Sequence, residues 1–377
     1  MSGAELAGAL RMPRSTFATA IAQLERQGRV VQVGKANGGR GRPSHIYRLK
    51  LPAPVVSLQV EGTQLSGGLF DQTLELLALE TVAPRDVQSL DQAIEACKAL
   101  LGRLLESAGG EGVKPGGVAV SLNAVQSGQR ILASSVLPWV TDDLERQLAD
   151  CLHLPVRLCA PSSLAAEYQK LRGIPQSFVL FHVADGVSAH MIANRDFYCG
   201  QAGLAGELGH VSTDAAGPLC GCGKRGCLEA YCGGPAIQRR VAGDLCTGIV
   251  SQLEVGVFMQ STAPEAMQQL WEAWGQGDAF ARTCMADVLG RLGWGLGLAQ
   301  NLLDPQVISF GGYVLAGRQA WIDEICRASE KWILRPAARG TQFLQAVADL
   351  EDELRVAAAR FYYPINGHDG LGCDAAS

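Results

Sequence analysis

Three cysteines and a histidine lie close together in the segment 207–232, which reads ELGHVSTDAAGPLCGCGKRGCLEAYC. His210, Cys220, Cys222 and Cys227 supply one imidazole and three thiols within eighteen residues. The glycines and the proline between them permit the tight turns that would bring the four side chains to one ion. Such soft ligands select Zn²⁺, and four protein ligands leave no open position for catalysis. The sequence therefore predicts a structural zinc loop; the alternative is a loop of unmetallated cysteines.

The bulk composition describes a globular chain in a reducing compartment. The 377 residues suffice for two or three domains, and 47% hydrophobic with 18% charged residues argues against disorder. Neither a signal peptide nor an apolar run of transmembrane length is recognisable. The twelve cysteines, three of them tightly clustered, then favour metal binding over disulfides. We expect a cytoplasmic protein with no membrane partner.

The charge is distributed very unevenly along the chain. The net charge is −5, yet residues 1–50 hold nine Lys and Arg against two acids, which makes that segment +7 and the remainder −12. A small basic head on a large acidic body is typical of a polyanion contact confined to the head. The first fifty residues are therefore the candidate nucleic-acid-binding domain.

The pattern of the head indicates a winged helix-turn-helix. Residues 4–10 and 14–27 have helical apolar spacing, and Pro13 separates the two helices. Residues 29–33 alternate as a strand, and a loop rich in Gly and Arg leads to a second strand over 44–49. Two helices followed by a two-stranded wing match that motif. The covering helix that usually precedes the pair is absent or supplied by something else.

Six side chains of the head are candidate contacts to double-stranded DNA. Donors and acceptors at the start of the second helix suit base edges and phosphates in a major groove, and arginines in a Gly-spaced loop suit a narrow minor groove. The second helix supplies Arg14, Ser15, Thr16 and Thr19, and the wing supplies Arg40 and Arg42. The alternative is a packing module with a solvated basic face.

From residue 51 the pattern changes to alternating strands and helices, which predicts an α/β fold. We expect strands over 54–60, 64–71, 73–81, 116–122, 178–183, 190–193 and 306–310, and helices over 89–107, 142–152 and much of 235–305. The predicted units are the head at 1–50, a first lobe at 51–154 joined by a C-terminal helix from 350–377, and a second lobe at 155–349 that carries the zinc loop.

The zinc loop also carries a family resemblance. Glu207-Leu208-Gly209-His210, followed by Cys-x-Cys-Gly-x-x-Gly-Cys-Leu-Glu at 220–229, closely resembles the signature of the ROK family of repressors, open reading frames and sugar kinases. Residues 301–305, Gly311-Gly312 and the Gly-Arg-Gly-Arg-Pro wing extend the resemblance over nearly the whole chain.

The resemblance implies a fold, a ligand and an assembly. It implies a two-lobed, actin-like ATPase (ribonuclease H-like) body with a sugar site in the cleft, and a homodimer or dimer of dimers on a palindromic DNA operator. By position in the motif, Glu207, His210 and Glu229 would contact sugar hydroxyls, for which carboxylates and imidazole are suitable acceptors. The alternative is that Glu207 and Glu229 only orient the metal loop.

Three stretches depart from the sugar kinases of the family. Their Asp-x-Gly-Gly-Thr is replaced at 59–63 by Gln-Val-Glu-Gly-Thr, in which a carboxylate at Glu61 would repel nucleotide phosphates. Their Gly-Thr-Gly-x-Gly is replaced at 184–189 by a stretch containing Asp185. Their Asn-Asp-x-Asn stretch, which holds the catalytic base, corresponds to 158–163, where no carboxylate precedes Glu167.

We therefore predict a transcriptional regulator that is not an enzyme, with a body that dimerises and senses a sugar or sugar derivative. The same departures, together with Ser121-Leu122 in place of an expected Pro-Gly, argue against tight binding of an ordinary hexose. Two alternatives stay open. One is a regulator without an effector, whose body only dimerises or docks a partner protein; the other is an active ATP-dependent sugar kinase with an appended DNA-binding head.

Overall fold

The structure is a computed structural model. It describes residues 2–363 except for positions 11, 37–43, 62–63, 83–86, 88, 110–111, 123, 128–129, 138, 160–176, 194–195, 199, 202–203, 335–339 and 346–348. Among these residues, no helix combines the length and the apolar character needed to cross a bilayer.

Two helices and a hairpin form the N-terminal part of the chain. These are α1 (Gly3–Ala9), α2 (Arg14–Arg26), β1 (Val30–Ala36) and β2 (Ser44–Leu49), with β1 and β2 antiparallel. A capping box starts α1, in which Glu5 accepts from the Ser2 amide at 2.7 Å. The rings of Phe17 and Tyr47 meet edge to face at 6.5 Å, but no described residue of α2 is fully buried.

The first five-stranded sheet has the order β5-β4-β3-β6-β9. Its antiparallel part is β3 (Val55–Val60), β4 (Leu65–Phe70) and β5 (Leu76–Val82); β6 (Val118–Leu122) and β9 (Val156–Cys159) are parallel to β3. A small hairpin, β7 (Val125–Ser127) and β8 (Arg130–Ala133), lies between β6 and β9 in the chain. Strands β3, β4 and β6 are buried along their whole length, as expected when both faces of a sheet are covered.

The third strand predicted for the body begins three residues later than expected. The pattern predicts a strand over 73–81, whereas β5 starts at Leu76. Asp71 accepts hydrogen bonds from the amides of Thr73 at 2.7 Å and Glu75 at 2.9 Å, and Leu74 has a φ of 63°. The Asp71 side chain thus holds a turn that replaces the first residues of the strand.

Helices cover both faces of the first sheet. The helices α3 (Leu90–Ser107) and α4 (Leu144–Leu152) pack on one face. The C-terminal helix, here called α11 (Leu350–Tyr362), packs on the other, where the Ser57 hydroxyl donates to the Leu354 carbonyl at 2.7 Å.

The second five-stranded sheet has the order β12-β11-β10-β13-β14. Its strands are β10 (Phe178–Val183), β11 (Val187–Ala193), β12 (Asp196–Phe197), β13 (Val307–Gly311) and β14 (Gln342–Gln345). The helices of this part of the chain are α5 (Glu229–Cys232), α6 (Gly234–Cys246), α7 (Val255–Gln260), α8 (Ala263–Gly275), α9 (Ala279–Leu303) and α10 (Gln319–Ser329). The prediction of an α/β fold is confirmed.

Helix α11 also joins the N-terminal hairpin to the first sheet. The Tyr363 hydroxyl donates to the Lys50 carbonyl at 2.7 Å, and the Arg29 guanidinium lies 4.5 Å from the centre of the Tyr363 ring. An ion pair between Arg48 and Glu75 adds a second connection. The N-terminal elements are therefore held against the body at the end of its last helix.

Candidate metal centre and acidic cluster

The four zinc-ligand candidates converge in the structure. The ligand atoms of His210, Cys220, Cys222 and Cys227 all lie within 4.8 Å of one another. The Cys220 Sγ is 3.7 Å from the His210 Nδ1, and the Cys222 Sγ is 3.7 Å from the Cys227 Sγ. Zinc–sulfur bonds of about 2.3 Å at tetrahedral angles place neighbouring sulfurs about 3.8 Å apart. The residues fit a tetrahedral Zn²⁺ ion.

Local backbone geometry brings these ligands together. The Cys220 amide donates to the Lys224 carbonyl at 2.8 Å, which closes a tight turn around Cys222. Gly223 and Gly226 have φ values of 86° and 69°, which glycine adopts without strain. A Cβ at Gly226 would also overlap the Asp214 carbonyl oxygen. Glycines at these positions therefore let the loop fold back on itself.

Of the three candidate sugar ligands, His210 is itself a zinc-ligand candidate, and Glu207 and Glu229 both contact zinc-ligand candidates. Glu229 is only 8% exposed; its Oε2 accepts from the Val187 amide at 3.3 Å, and its Oε1 lies 3.7 Å from the Cys220 Sγ. The Glu207 Oε2 lies 3.7 Å from the His210 Nε2, and burial, with a smaller effect of Glu229, raises the pKa of Glu207 to about 7. These contacts can orient the loop, and a role in sugar binding stays a prediction.

A second group of polar residues, which we call the acidic cluster, consists of Gln59, Glu61, Asp185, Tyr313 and Glu353. The Gln59 Nε2 donates to the Glu61 Oε1 at 3.2 Å and the Glu353 Oε2 at 3.4 Å. The Tyr313 hydroxyl donates to the Asp185 Oδ1 at 2.5 Å. Burial, and next the charge of Asp185, raise the pKa of Glu61 to about 8. Burial, and next Glu61, raise the pKa of Glu353 to about 8.

The cluster contains residues from two of the three stretches that depart from the sugar kinases of the family, 59–63 and 184–189. Glu61 follows β3 and Asp185 lies in the turn between β10 and β11. The pattern of the sequence did not single out Tyr313 or Glu353. Tyr313 directly follows the quoted Gly311-Gly312 pair, which was the available signal, whereas Glu353 reaches Gln59 from 294 residues away and had none.

The candidate DNA contacts are only partly described. Arg14, Ser15, Thr16 and Thr19 are exposed on α2, and the Thr19 hydroxyl donates to the Ser15 carbonyl at 3.1 Å. Arg40 and Arg42 lie outside the described residues, as do residues 160–163 and Glu167 of the stretch that corresponds to the kinase base.

Comparison with known proteins identifies relatives over most of the chain. A family model described as "ROK family" matches residues 55–358. An N-acetylmannosamine kinase from Yersinia pseudotuberculosis is 29% identical over 194 residues, which are 50% of this chain and 64% of that kinase. An N-acetylmannosamine kinase from Citrobacter koseri is 28% identical over 197 residues, 50% of this chain and 65% of that kinase. The matches thus cover less than two thirds of these relatives.

Solved structures show the same fold at low identity. A ROK family transcriptional regulator, described as a homologue of the E. coli MLC protein, has a TM-score of 0.69 at 17% identity and covers 96% of this chain and 92% of its own. A ROK family glucokinase from Streptomyces griseus, solved with glucose and AMPPNP, has a TM-score of 0.67 at 21% identity and covers 81% of this chain and 98% of its own.

These comparisons contradict the prediction that the chain is not an enzyme. The curated relatives are named as kinases, and the similar structures include sugar kinases. The prediction treated Glu61 as an ionised group that repels phosphate. Burial and the charge of Asp185 raise the pKa of Glu61 to about 8, which weakens the repulsion expected from this group, one of the three departures on which the prediction rested.

Proposed function

The chain belongs to the ROK family, and on this premise we propose that it is a DNA-binding transcriptional regulator whose body binds a sugar or sugar-like effector. One observation carries the proposal. Ahead of the family match at 55–358 lie two helices and a hairpin, and this segment of fifty residues has a net charge of +7 in a chain of net charge −5. A localised basic surface of this kind suits a nucleic acid.

The extent of the structural matches supports a regulatory role for the N-terminal head. The regulator structure covers 96% of the chain, whereas the glucokinase structure covers 81%. The difference is close to the length of the head. The proposed units are a winged helix-turn-helix at 1–50, a first lobe at 51–154 with the C-terminal helix, and a second lobe at 155–349.

The proposed DNA contacts use exposed side chains. In this proposal α2 enters the major groove with Arg14, Ser15 and Thr16 near its N-terminus, and the wing contributes Arg40 and Arg42. A homodimer would place two such helices on the two halves of a palindromic operator. Thr19 adds a contact one turn further along the helix.

The proposed body holds one structural Zn²⁺ ion through His210, Cys220, Cys222 and Cys227. The 3.7 Å separations between their ligand atoms and the thiol and imidazole donor set support this ion. Glu207 and Glu229, at the edge of the same loop, are the proposed contacts to the effector. Zinc binding would hold them in place through His210 and Cys220.

Selection from a random pool of duplex DNA tests whether the protein binds a specific DNA sequence. The full-length protein should enrich a palindromic sequence, and Arg14→Ala should weaken binding to it by about 1–3 kcal/mol if Arg14 reads a guanine. Arg103→Ala, which removes an exposed arginine on α3, is the matched control and should leave the affinity unchanged. A pool that shows no enrichment, or equal losses for Arg14→Ala and Arg103→Ala, would contradict the proposal.

A second candidate function is ATP-dependent phosphorylation of a sugar. The observation that favours it is the name of the curated relatives, N-acetylmannosamine kinase. The two functions can coexist in one chain. Release of ADP from ATP, measured with N-acetylmannosamine and with glucose, tests it directly; sugar-dependent turnover that Thr63→Ala abolishes would establish the activity, and no turnover with either sugar would count against it.

A further inference from the structure

We propose that the acidic cluster binds the primary ammonium group of a small ligand. This goes beyond the proposed function, because it assigns a separate site with its own ligand chemistry and does not depend on DNA binding. The site consists of the Gln59 Oε1, the carboxyl groups of Glu61 and Glu353, and the facing pair of Asp185 and Tyr313.

The first observation is an unsatisfied acceptor on Gln59. This side chain is 7% exposed, and its Nε2 already donates to Glu61 and Glu353. Its Oε1 is buried and accepts no hydrogen bond from any described residue. A buried carbonyl oxygen without a donor is unfavourable, and such groups in folded proteins usually have a partner. The Gln59 carbonyl oxygen therefore indicates a missing donor at this place.

The second observation concerns charge. Within the described part of the chain, no Lys or Arg forms an ion pair with Glu61 or Glu353. The nearest arginine on the same helix, Arg355, pairs with Glu351 and Asp352 instead. The ionisable groups that Glu61 and Glu353 do face are other carboxyl groups, chiefly Asp185 for Glu61 and Glu61 for Glu353. A cation brought by a ligand would favour the ionised forms of these carboxyl groups and pair with them.

The small number of acceptors favours an ammonium over a metal ion. Mg²⁺ and Ca²⁺ need about six to eight oxygen ligands at about 2.0–2.6 Å. In the described residues, the His210 group is the one whose His, Cys, Asp and Glu ligand atoms converge, and the three carboxyl groups of the cluster do not. An ammonium has three directional N–H donors that reach acceptors at about 2.8 Å. One amide oxygen and two carboxyl groups match those three donors.

The cluster is connected to the proposed effector site through the turn that contains Asp185. In this turn the Val187 amide donates to Glu229, and the Ala184 carbonyl accepts from the Gly234 amide at 2.8 Å. The ammonium could belong to an amino sugar or to a simple aliphatic amine, since both carry the same group. The experiment below separates these two sources.

Calorimetric titration of the full-length zinc-loaded protein tests the inference. The probes are glucosamine, glucose and N-acetylglucosamine, which share a ring and differ at one substituent, together with putrescine and Ca²⁺. We expect glucosamine to bind at least tenfold more tightly than glucose and N-acetylglucosamine if the ligand is an amino sugar. We expect putrescine to bind more tightly than all three sugars if the ligand is an aliphatic amine.

Isosteric variants locate the binding. Glu61→Gln and Glu353→Gln should each weaken binding of the preferred amine at least tenfold, whereas Glu351→Gln, on the same helix, should leave it unchanged. Thermal unfolding verifies that each variant is folded. The inference is overturned if neither amine binds, if glucose binds as tightly as glucosamine and putrescine, if Ca²⁺ binds in place of the amines, or if the two cluster variants keep full affinity.

Discussion

The hydroxyl of Tyr363 donates a hydrogen bond of 2.7 Å to the carbonyl oxygen of Lys50, 313 residues earlier in the chain. The same ring lies beneath the Arg29 guanidinium. Tyr363 follows α11, the helix whose N-terminal half brings Glu353 to the acidic cluster. One helix therefore contacts both the acidic cluster and the basic head.

Substitutions of Tyr363 should loosen the head. Tyr363→Ala removes the hydrogen bond and the cation–π contact, each worth about 0.5–1.5 kcal/mol, and should raise hydrogen exchange in β2 several-fold. Tyr363→Phe keeps the ring and should have the smaller effect. Exchange measured by mass spectrometry checks this, and equal exchange in β2 for Tyr363→Ala and the parent chain would contradict it.

The hydrogen bond between Val187 and Glu229 predicts a graded response to substitution. Glu229→Ala leaves the buried Val187 amide without an acceptor and should lower the free energy of unfolding by about 1–3 kcal/mol. Glu229→Gln keeps a side-chain oxygen and should lose less. Chemical denaturation measures both variants. If they are equally destabilised, the carboxylate charge and not the hydrogen bond stabilises this turn.

Substitution of a zinc ligand should lower both the zinc content and the stability of the protein. Cys222→Ser should reduce bound zinc from one ion per chain to near zero and lower the stability by about 3 kcal/mol, because four ligands close a structural site. Cys246→Ser, which changes an exposed cysteine on α6, is the control. Metal content by mass spectrometry and thermal unfolding provide the measurements, and unaltered zinc in Cys222→Ser would exclude this site.

Substitutions of two glycines in the metal loop distinguish the effect of steric overlap from that of backbone strain. Gly223 and Gly226 both have positive φ, but a Cβ at Gly223 meets no atom within 4 Å, whereas one at Gly226 would overlap Asp214. Gly223→Ala should cost about 1 kcal/mol, the usual penalty for this conformation. Gly226→Ala should cost more than that and reduce zinc occupancy. Equal effects of the two substitutions would show that the loop adjusts to the added methyl group.

The raised pKa values in the acidic cluster predict that the free energy of unfolding falls as the pH rises. Glu61 and Glu353 have pKa values raised to about 8 from 4.5, so the folded chain holds protons that the unfolded chain releases. Their contribution is lost as the pH rises through about 8. Burial lowers the pKa of His182 and His190 to about 4 from 6.5, and these residues add no slope well above pH 6.5.

Chemical denaturation between pH 7 and 8.5 measures this slope. The double variant Glu61→Gln/Glu353→Gln should show a flatter decline than the parent chain, because its side chains cannot ionise. Glu330→Gln, which changes an exposed carboxylate outside the cluster, should keep the parent slope. A double variant with the parent slope would show that these two carboxyl groups ionise normally in the folded protein.

The sequence by itself determined the features that depend on local spacing. The four zinc ligands lie within eighteen residues, and the glycines between them permit the tight turns that bring the ligands together, so their convergence could be predicted. The +7 charge of the first fifty residues and the ROK signature around the metal loop are also properties of contiguous segments. The alternating apolar runs sufficed to predict an α/β fold. They did not predict the short strands β7, β8, β12 and β14, and they placed the start of β5 at residue 73, where the Asp71 side chain forms a turn.

Only the tertiary structure decided the chemistry of the acidic cluster. Glu353 contacts Gln59 although 294 residues separate them in the sequence, and Tyr313 contacts Asp185 across a separation of 128 residues. No local sequence pattern can predict contacts between residues so far apart in the chain. The sequence shows that Glu61 is acidic, but its ionisation depends on burial and on the carboxylates that folding places around it. For that reason the sequence predicted a phosphate-repelling charge at Glu61, whereas the fold raises the pKa of this carboxyl group well above its usual value.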